Sequence, residues 1–391
     1  MKLLQIQAEG MELFPRTLNL SFYATQRVRT TDQVNLQHIC SNLYYNRSNA
    51  FIGINASGKT TVLRLLVMIL TMLDGTPINR NQTEGVLGNS SHVVLTTYFM
   101  YDNSNLYKLR TVVTSKKGVP VGEKKYTITA ETLWKKTIGE KAVSAKKTAF
   151  EPSGFKLIQE RTGEEDYLAD DISIAISVKK LYQEETYIAN LVSLANHNYP
   201  LIGSTEEVFI EALRFLDPSI EYLLVNSDDE TIWGYQLKFY GKDEIEVRNY
   251  LELERYLSSG TIRGLGVFGI AKQALKSGGY MVLDEIEDHF NREIVATLLR
   301  FFQNEETNPN GAVLLFSTHY PNLLDEFDRN DAITVLWNNS GIEAHTLANL
   351  LKRNDVKKSD SYESSFLGET APTYETYIAM KRALLKELRE G

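Results

Sequence analysis

The spacing of apolar positions changes along the chain, and each spacing predicts a different kind of element. Short apolar runs at 3–6 and 18–22 are typical of strands joined by turns. The run at 62–73 is almost wholly apolar, which predicts a helix that follows the phosphate loop and is buried against a sheet. From His92 apolar and polar residues alternate through three segments separated by turn residues, which predicts an antiparallel meander.

Between residues 170 and 256 the apolar positions recur mostly at helical spacing. We therefore predict a mainly helical segment, with helices at 172–196, 206–216 and 244–257. Beyond it, a helix is predicted through residue 275, followed by buried strands at 280–283 and 312–316. Buried strands combined with apolar helices predict an α/β fold.

Composition narrows the class of protein. With 391 residues and 43% hydrophobic content, the chain can form two or three domains, or one domain with a large insertion. Cys40 is the single cysteine, which excludes a disulfide within the chain. The N-terminus lacks a signal-peptide pattern, and the apolar run at 62–73 is short for a membrane span and contains Arg64. We therefore expect a cytoplasmic protein with no membrane partner.

Charge is distributed unevenly. The chain has a net charge of −8, but residues 107–157 contain 12 Lys/Arg and only 4 Asp/Glu. Two interpretations of these basic residues remain open: a solvated strand face, or a surface for DNA or an acidic partner.

A phosphate-binding loop, GINASGKT, occupies residues 53–60 between an apolar strand and an apolar helix. Glycines let backbone N–H groups close around phosphate oxygens, Lys59 can reach the outer phosphates, and the Thr60 hydroxyl can bind Mg²⁺. The helix N-terminus adds a favourable field for an anion. The predicted nucleotide-binding residues are Gly53, Asn55, Ala56, Ser57, Gly58, Lys59, Thr60 and Thr61.

The other residues that a nucleotide-hydrolysing site needs beside this loop lie in the second half of the chain. The strand at 280–283 ends in Asp284, predicted to hold Mg²⁺, and Glu285, predicted to polarise the attacking water. The strand at 312–316 is followed by His319, which is placed to contact the terminal phosphate. A serine-glycine turn at the start of the preceding helix, Ser258, Ser259 and Gly260, can offer a hydroxyl and N–H groups to phosphate.

The order of these motifs resembles the ABC-type ATPase heads. Within that group it is similar to bacterial stand-alone AAA-family ATPases related to the OLD proteins and to RecF- and SMC-like heads. The resemblance lies in LSSGTIRGL at 257–265, ALKSGGYMVLDEIEDHFN at 274–291 and FSTHYPNLLD at 316–325.

On this resemblance, 53–60 is the Walker A loop, 257–261 the signature loop and 287–291 the D-loop that contacts a second subunit. Asp284 and Glu285 become the Walker B pair, and His319 becomes the switch histidine. Ser259 stands where transporters usually have glycine, and Asn291 stands where the D-loop often has aspartate. Neither change removes a group that contacts phosphate, so slow hydrolysis is expected. Gln82 and Gln159 are candidates for the glutamine that couples nucleotide to the inserted region.

The resemblance implies a P-loop α/β head with a mixed central sheet flanked by helices, an antiparallel meander and an inserted, mainly helical lid. The expected divisions are 1–115 with Walker A, 116–256 as the lid, 257–350 with the other motifs, and 351–391 as a C-terminal extension ending in a helix. No nuclease domain is expected in this chain, because about 55 residues follow Trp337.

The resemblance also implies ATP and Mg²⁺ as cofactors. It further implies a homodimer or higher homo-oligomer, because in this family the signature loop of one head completes the nucleotide site of another in trans. The first hypothesis is an ATP-hydrolysing sensor or motor of an anti-phage system with a separate nuclease or toxin effector. The alternative is a RecF/SMC-like ATPase of DNA repair or maintenance, with DNA bound through 107–157. A transporter ATPase subunit and a non-catalytic scaffold are less favoured.

Overall fold

The computed structural model describes residues 1–116, 118–119, 125–138, 145–162, 168–192, 207–228, 231–288, 290–338, 340–364 and 374–390. Its strands are β1 (Lys2–Glu9), β2 (Leu18–Ser21), β3 (Leu36–Cys40), β4 (Leu43–Asn46), β5 (Ser48–Ile52), β6 (His92–Met100), β7 (Asn105–Ser115), β8 (Tyr126–Thr137), β9 (Lys156–Arg161), β10 (Ile188–Leu191), β11 (Ile220–Asp228), β12 (Thr231–Phe239), β13 (Ile245–Val247), β14 (Tyr280–Leu283), β15 (Val313–Thr318), β16 (Ile333–Asn338) and β17 (Ile342–Thr346).

The α-helices are α1 (Lys59–Leu73), α2 (Asn81–Leu87), α3 (Ala145–Thr148), α4 (Ile176–Tyr182), α5 (Glu207–Leu216), α6 (Tyr250–Leu253), α7 (Ser259–Ser277), α8 (Arg292–Gln303), α9 (Leu347–Leu350), α10 (Lys358–Glu363) and α11 (Tyr374–Glu390). Short 3₁₀ helices cover Thr30–Asn35, Pro321–Glu326 and Asn330–Ala332.

The central sheet has the strand order β10-β14-β15-β5-β16-β17, in which β17 alone runs antiparallel. Its inner strands are apolar on both faces, as expected of a parallel sheet covered on both sides. Phe51 packs into one core cluster, whereas Ala50 and Ile52 pack into another. Because β5, β14 and β15 are parallel neighbours, the loops that follow them lie at the same edge of the sheet.

A second, antiparallel sheet has the order β2-β1-β6-β7-β8-β9, which confirms the predicted meander. One core cluster joins side chains of this sheet, one face of the central sheet and α1. The helices α7 and α8 contribute to the cluster on the opposite face. The molecule therefore has the expected mixed α/β architecture, with a central sheet flanked by helices.

The prediction that the inserted region is mainly helical is wrong. Among its described residues, more lie in strands than in helices, because β11, β12 and β13 form a three-stranded antiparallel sheet. The helix predicted at 206–216 is present as α5, but the one predicted at 244–257 is replaced by β13 and the single turn α6. β11 and β12 pair along their length and so form the main part of this sheet, although no strand was predicted at 220–239.

The long helix predicted at 172–196 is also wrong. The described part of this range contains the short helix α4 and then β10, which pairs in parallel with β14. The partner strand is about 90 residues away in sequence, so local spacing carries no sign of the pairing. The inserted region thus supplies an edge strand of the central sheet.

A third apolar cluster joins the inserted region to the signature helix. Side chains of α5 and β11–β13 pack with Ile262 and Leu265 from the start of α7, whereas Val267 and Ile270 further along α7 belong to the central-sheet cluster. Gly264 permits this close packing, because a Cβ there would lie 2.6 Å from Leu216 Cδ2. The helix α7 therefore links the inserted region mechanically to the central sheet. Among the described residues, none of the helices combines the length and the hydrophobicity needed to cross a membrane.

Candidate active site

The loop between β5 and α1 has the backbone shape of a phosphate cradle. Gly58 has φ of 97° and Ala56 has φ of 62°, both in the left-handed region. A Cβ on Gly58 would lie 2.5 Å from Ile342 Cδ1, so glycine is required for space as well as conformation. Asn338, at the end of β16, donates from Nδ2 to the Ala56 carbonyl at 2.9 Å and supports the left-handed turn.

Within this loop, Asn55 and Ala56 are exposed, and Gly58 and Thr61 are partly exposed. Ser57 is buried, and its Oγ has no hydrogen-bond partner among the described residues.

Lys59 is the buried cation of the site. It is 5% exposed, and its Nζ donates to the carbonyls of Gly53 at 2.9 Å and Ile54 at 3.0 Å. Burial lowers the pKa of Lys59, and the nearby carboxylates of Asp284 and Glu285 oppose that shift. The ammonium is held at the mouth of the loop, where a phosphate would replace the carbonyls as its partner.

An oxygen pair suited to Mg²⁺ connects the two halves of the chain. The Thr60 hydroxyl donates to Asp284 Oδ2 at 2.6 Å, although the two residues are 224 positions apart. Ser317, at the end of β15, donates from Oγ to the other carboxylate oxygen of Asp284. A hydroxyl beside a carboxylate is the donor set that Mg²⁺ prefers next to phosphates, so these residues fit the ion.

Glu285 follows Asp284 in an unusual backbone conformation. Its φ of 49° is left-handed, which costs a non-glycine residue about 1–3 kcal/mol and is held only by strong local contacts. One such contact is the bond from Glu285 N to Ser317 Oγ at 2.7 Å. The side chain is 44% exposed, and its Oε1 lies 3.3 Å from His319 Nε2.

The His319 ring lies between the Lys59 ammonium and the Glu285 carboxylate. Its Nδ1 lies 3.4 Å from Lys59 Nζ while its Nε2 faces Glu285. The structure therefore brings together the residues predicted on separate strands: Lys59, Thr60, Asp284, Glu285 and His319.

The sequence analysis included Glu287 only as the first residue of the expected D-loop at 287–291 and assigned its side chain no contact with His319. This carboxylate is 7% exposed, and its Oε1 accepts the main-chain N–H of His319. Burial raises its pKa, while the bond from His319 lowers it. The sequence did contain an indication of this residue, because Glu287 is the third acidic residue in the run DEIED at 284–288. Ser317 and Asn338 were also missed, because single polar residues at strand ends are too common to stand out.

The signature turn lies at the start of α7, and its two serines are exposed. Ser258 caps α7 by accepting from Thr261 N at 3.0 Å. Within the described part of the chain, no hydrogen bond joins Ser258, Ser259 or Gly260 to residues 53–61. Arg263 in the first turns of α7 pairs with Asp288 at 2.5 Å, which ties the signature helix to the turn after Glu285.

The candidates for the coupling glutamine gain no support. Gln159 lies on β9 and pairs with Leu133 at the edge of the antiparallel sheet. The side chain of Gln82 lies outside the described part of the structure.

The fold and this assembly are those that the sequence predicts for an ABC-type ATPase head. Residues 143–325 match a family model described as "AAA domain, putative AbiEii toxin, Type IV TA system". That model covers less than half of the chain, and its description agrees with the ABC-type AAA ATPase that the motifs predict. Among solved structures, it is similar to the SMC head domain from Thermotoga maritima, with 12% sequence identity and a TM-score of 0.41. That similarity covers 88% of this chain and 99% of the SMC head. No curated protein matches the chain in sequence.

Proposed function

We propose that the chain hydrolyses ATP in an ATP-gated homodimer and acts as the sensor or motor of a bacterial anti-phage system with a separate effector protein. The observation that carries the ATPase part is the contact of Thr60 with Asp284 beside Glu285 and His319. Three sequence-distant motifs meet there, the phosphate loop, the Asp284–Glu285 pair and His319, and together they supply the groups required for phosphoryl transfer to water.

Binding is assigned to the Walker A loop. Backbone N–H groups of Gly53, Asn55, Ala56, Ser57, Gly58 and Thr61, with the Lys59 ammonium, would surround the phosphates. Thr60 and Asp284 would hold Mg²⁺. When bound, the ion neutralises charge on the phosphate oxygens.

Proton transfer is assigned to Glu285. Its half-exposed carboxylate can accept a proton from the attacking water, and His319 orients that carboxylate from 3.3 Å while it reaches toward the terminal phosphate. Ser317 fixes the main chain of Glu285 and a carboxylate oxygen of Asp284, so the base and the metal site share one support.

Dimer formation follows from the exposed signature turn. Ser258 and Ser259 are exposed, and they would meet the nucleotide bound by a second copy of the chain. Closure of the dimer would then report the presence of ATP. Because α7 packs against both the inserted region and the central sheet, that region would move with the nucleotide state.

The assignment to defence rests on analogy. The family description names a toxin of a toxin–antitoxin system, which supports a toxic partner or effector for this chain. No nuclease is assigned to this chain, so the effector is proposed to be a separate protein.

DNA is the proposed trigger, and a surface of the antiparallel sheet supports it. Lys108 lies over the Trp134 ring, with its Nζ 5.0 Å from the centroid, and the neighbouring Arg110 is exposed. Cations beside a partly exposed indole suit both phosphate contacts and base stacking. The same surface supports the second candidate function, a RecF/SMC-like ATPase of DNA maintenance.

The test is ATP turnover with and without double-stranded DNA at two salt concentrations. DNA sensing predicts stimulation that weakens with salt. Lys108→Gln with Arg110→Gln should reduce the salt slope by about one for each phosphate that the variant no longer neutralises. Lys238→Gln on β12 is the matched control and should behave as the native chain. Turnover that DNA does not change would reject DNA as the trigger, whereas absence of any turnover would reject the ATPase.

The genomic neighbourhood separates the two candidates. A nuclease or toxin encoded beside this chain favours the defence function, and recombination proteins there favour maintenance.

A further inference from the structure

We propose that Glu287 is a positioning residue: it holds the turn of His319 against the turn of Glu285, so that histidine and base stay within hydrogen-bond range. The inference rests on the proposed ATPase mechanism for its catalytic part. Its structural part can be tested without turnover.

Three hydrogen bonds from main-chain N–H groups, in addition to the bond from Ser317 Oγ to Asp284, join the turn after β14 to the end of β15. Ile286 N donates to the Ser317 carbonyl at 3.0 Å, and Glu285 N donates to Ser317 Oγ at 2.7 Å. His319 N donates to Glu287 Oε1. The first two bonds fix the strand end, and the third fixes the main chain of the histidine itself.

A carboxylate at position 287 is costly for folding. Glu287 is 7% exposed, and its Oε2 is buried without a hydrogen-bond partner among the described residues. An apolar side chain of similar size would avoid this desolvation. The carboxylate is stabilised by the bond from the His319 main chain and by the Thr318 side chain, and its negative charge also favours the protonated form of Lys59.

The geometry that Glu287 supports is easily disrupted. The separation of 3.3 Å between His319 Nε2 and Glu285 Oε1 is long for a hydrogen bond, so a further shift of about 1 Å would break it. Glu285 also holds a left-handed conformation, which persists only where its surroundings fix it.

Glu287 also stands at the start of 287–291, the loop expected to contact a second subunit. A displacement of that loop would reach His319 through this one side chain. In this way dimer contact would be linked to the position of the histidine.

The structural test is hydrogen–deuterium exchange at the His319 amide in nucleotide-free protein. Glu287→Met keeps the side-chain volume but removes the acceptor, so the amide should exchange about tenfold faster. Glu287→Gln keeps a carbonyl oxygen and should stay within about threefold of the native rate. Glu293→Gln, on the exposed face of α8, is the matched control for removal of a nearby carboxylate and should not change the rate.

The catalytic test is steady-state turnover of the same variants, with nucleotide affinity measured separately. Glu287→Met should lower kcat at least tenfold while the Kd for a non-hydrolysable analogue stays within about twofold, and Glu287→Gln should retain most of the activity.

Native exchange in Glu287→Met would overturn the inference. Faster exchange with unchanged kcat would overturn its catalytic part. If the native chain has no turnover but the amide still depends on Glu287, the ATPase proposal fails while the structural contact stands.

Discussion

Replacement of Glu285 by glutamine isolates proton acceptance from every other property of the site. Glutamine has the same shape and keeps the backbone at φ 49°, so the strain and the bond from its N–H to Ser317 should remain. The side chain is 44% exposed, so the free energy of unfolding should change by less than about 0.5 kcal/mol. Nucleotide affinity should hold or rise, because one negative charge near the phosphates is removed.

The expected loss is in the chemical step. A positioned general base contributes about 100- to 10,000-fold, which corresponds to about 3–5 kcal/mol in the activation free energy. Glu285 Oε1 and His319 Nε2 are 3.3 Å apart, so their effects should not add. We expect Glu285→Gln with His319→Ala to be no more than a few-fold slower than Glu285→Gln alone.

The assay is single-turnover hydrolysis at saturating Mg²⁺ and ATP, combined with sedimentation to detect a trapped dimer. Glu293→Gln is the control, since it removes an exposed carboxylate from α8 without approaching the site. A kcat for Glu285→Gln within about threefold of the native value would refute the assignment of the base. Fully additive losses in the double variant would refute the pairing with His319.

Three further predictions concern stability and the dimer. Gly58→Ala should lower the free energy of unfolding by about 1–2 kcal/mol because φ at this position is 97°. The added Cβ would also clash with the Ile342 side chain, which should lower it by about 1–3 kcal/mol more. Ile342→Ala removes a buried side chain and is destabilising by itself, so the clash should appear as a favourable coupling free energy in the double-mutant cycle of Gly58→Ala and Ile342→Ala measured by urea unfolding. Glu131 is buried, and burial raises its pKa above the ordinary 4.5, so the folded state keeps this proton to a higher pH than the unfolded state. Its contribution to the unfolding free energy is therefore full below about pH 4.5 and is lost as pH rises through the folded pKa; urea unfolding from pH 4 to 7 should show a fall that Glu131→Gln lacks. Ser258→Ala should lower the free energy of unfolding by about 1 kcal/mol, because α7 loses its N-terminal cap, and should also slow ATP turnover at low protein concentration. Ser258→Thr keeps a capping hydroxyl and should therefore unfold thermally like the native chain.

Elements whose signal is local were predicted well. The helix α1 is apolar on nearly every side, the meander alternates regularly, and β14 and β15 are short apolar runs ending in polar residues. The glycine loop, the paired acids and the strand-end histidine were also located from sequence, because each must occur in a fixed local context to bind phosphate.

The inserted region was predicted poorly for a physical reason. A strand is stabilised by its neighbour across the sheet, and β10 finds its neighbour β14 far along the chain. The hairpin of β11 and β12 did carry a local signal, two runs rich in β-branched and aromatic residues around a polar turn, but helical spacing nearby obscured it.

By itself, the sequence determined the chemistry available to this protein: a lysine and a hydroxyl for phosphate and Mg²⁺, two acids, and a histidine. These groups can be identified from the sequence alone, because each motif is a continuous stretch of the chain. Only the tertiary structure decided which groups meet. The parallel order of β14, β15 and β5 brings Thr60 to Asp284 and Glu287 to His319, because side-by-side parallel strands deliver their carboxyl-end loops to one edge.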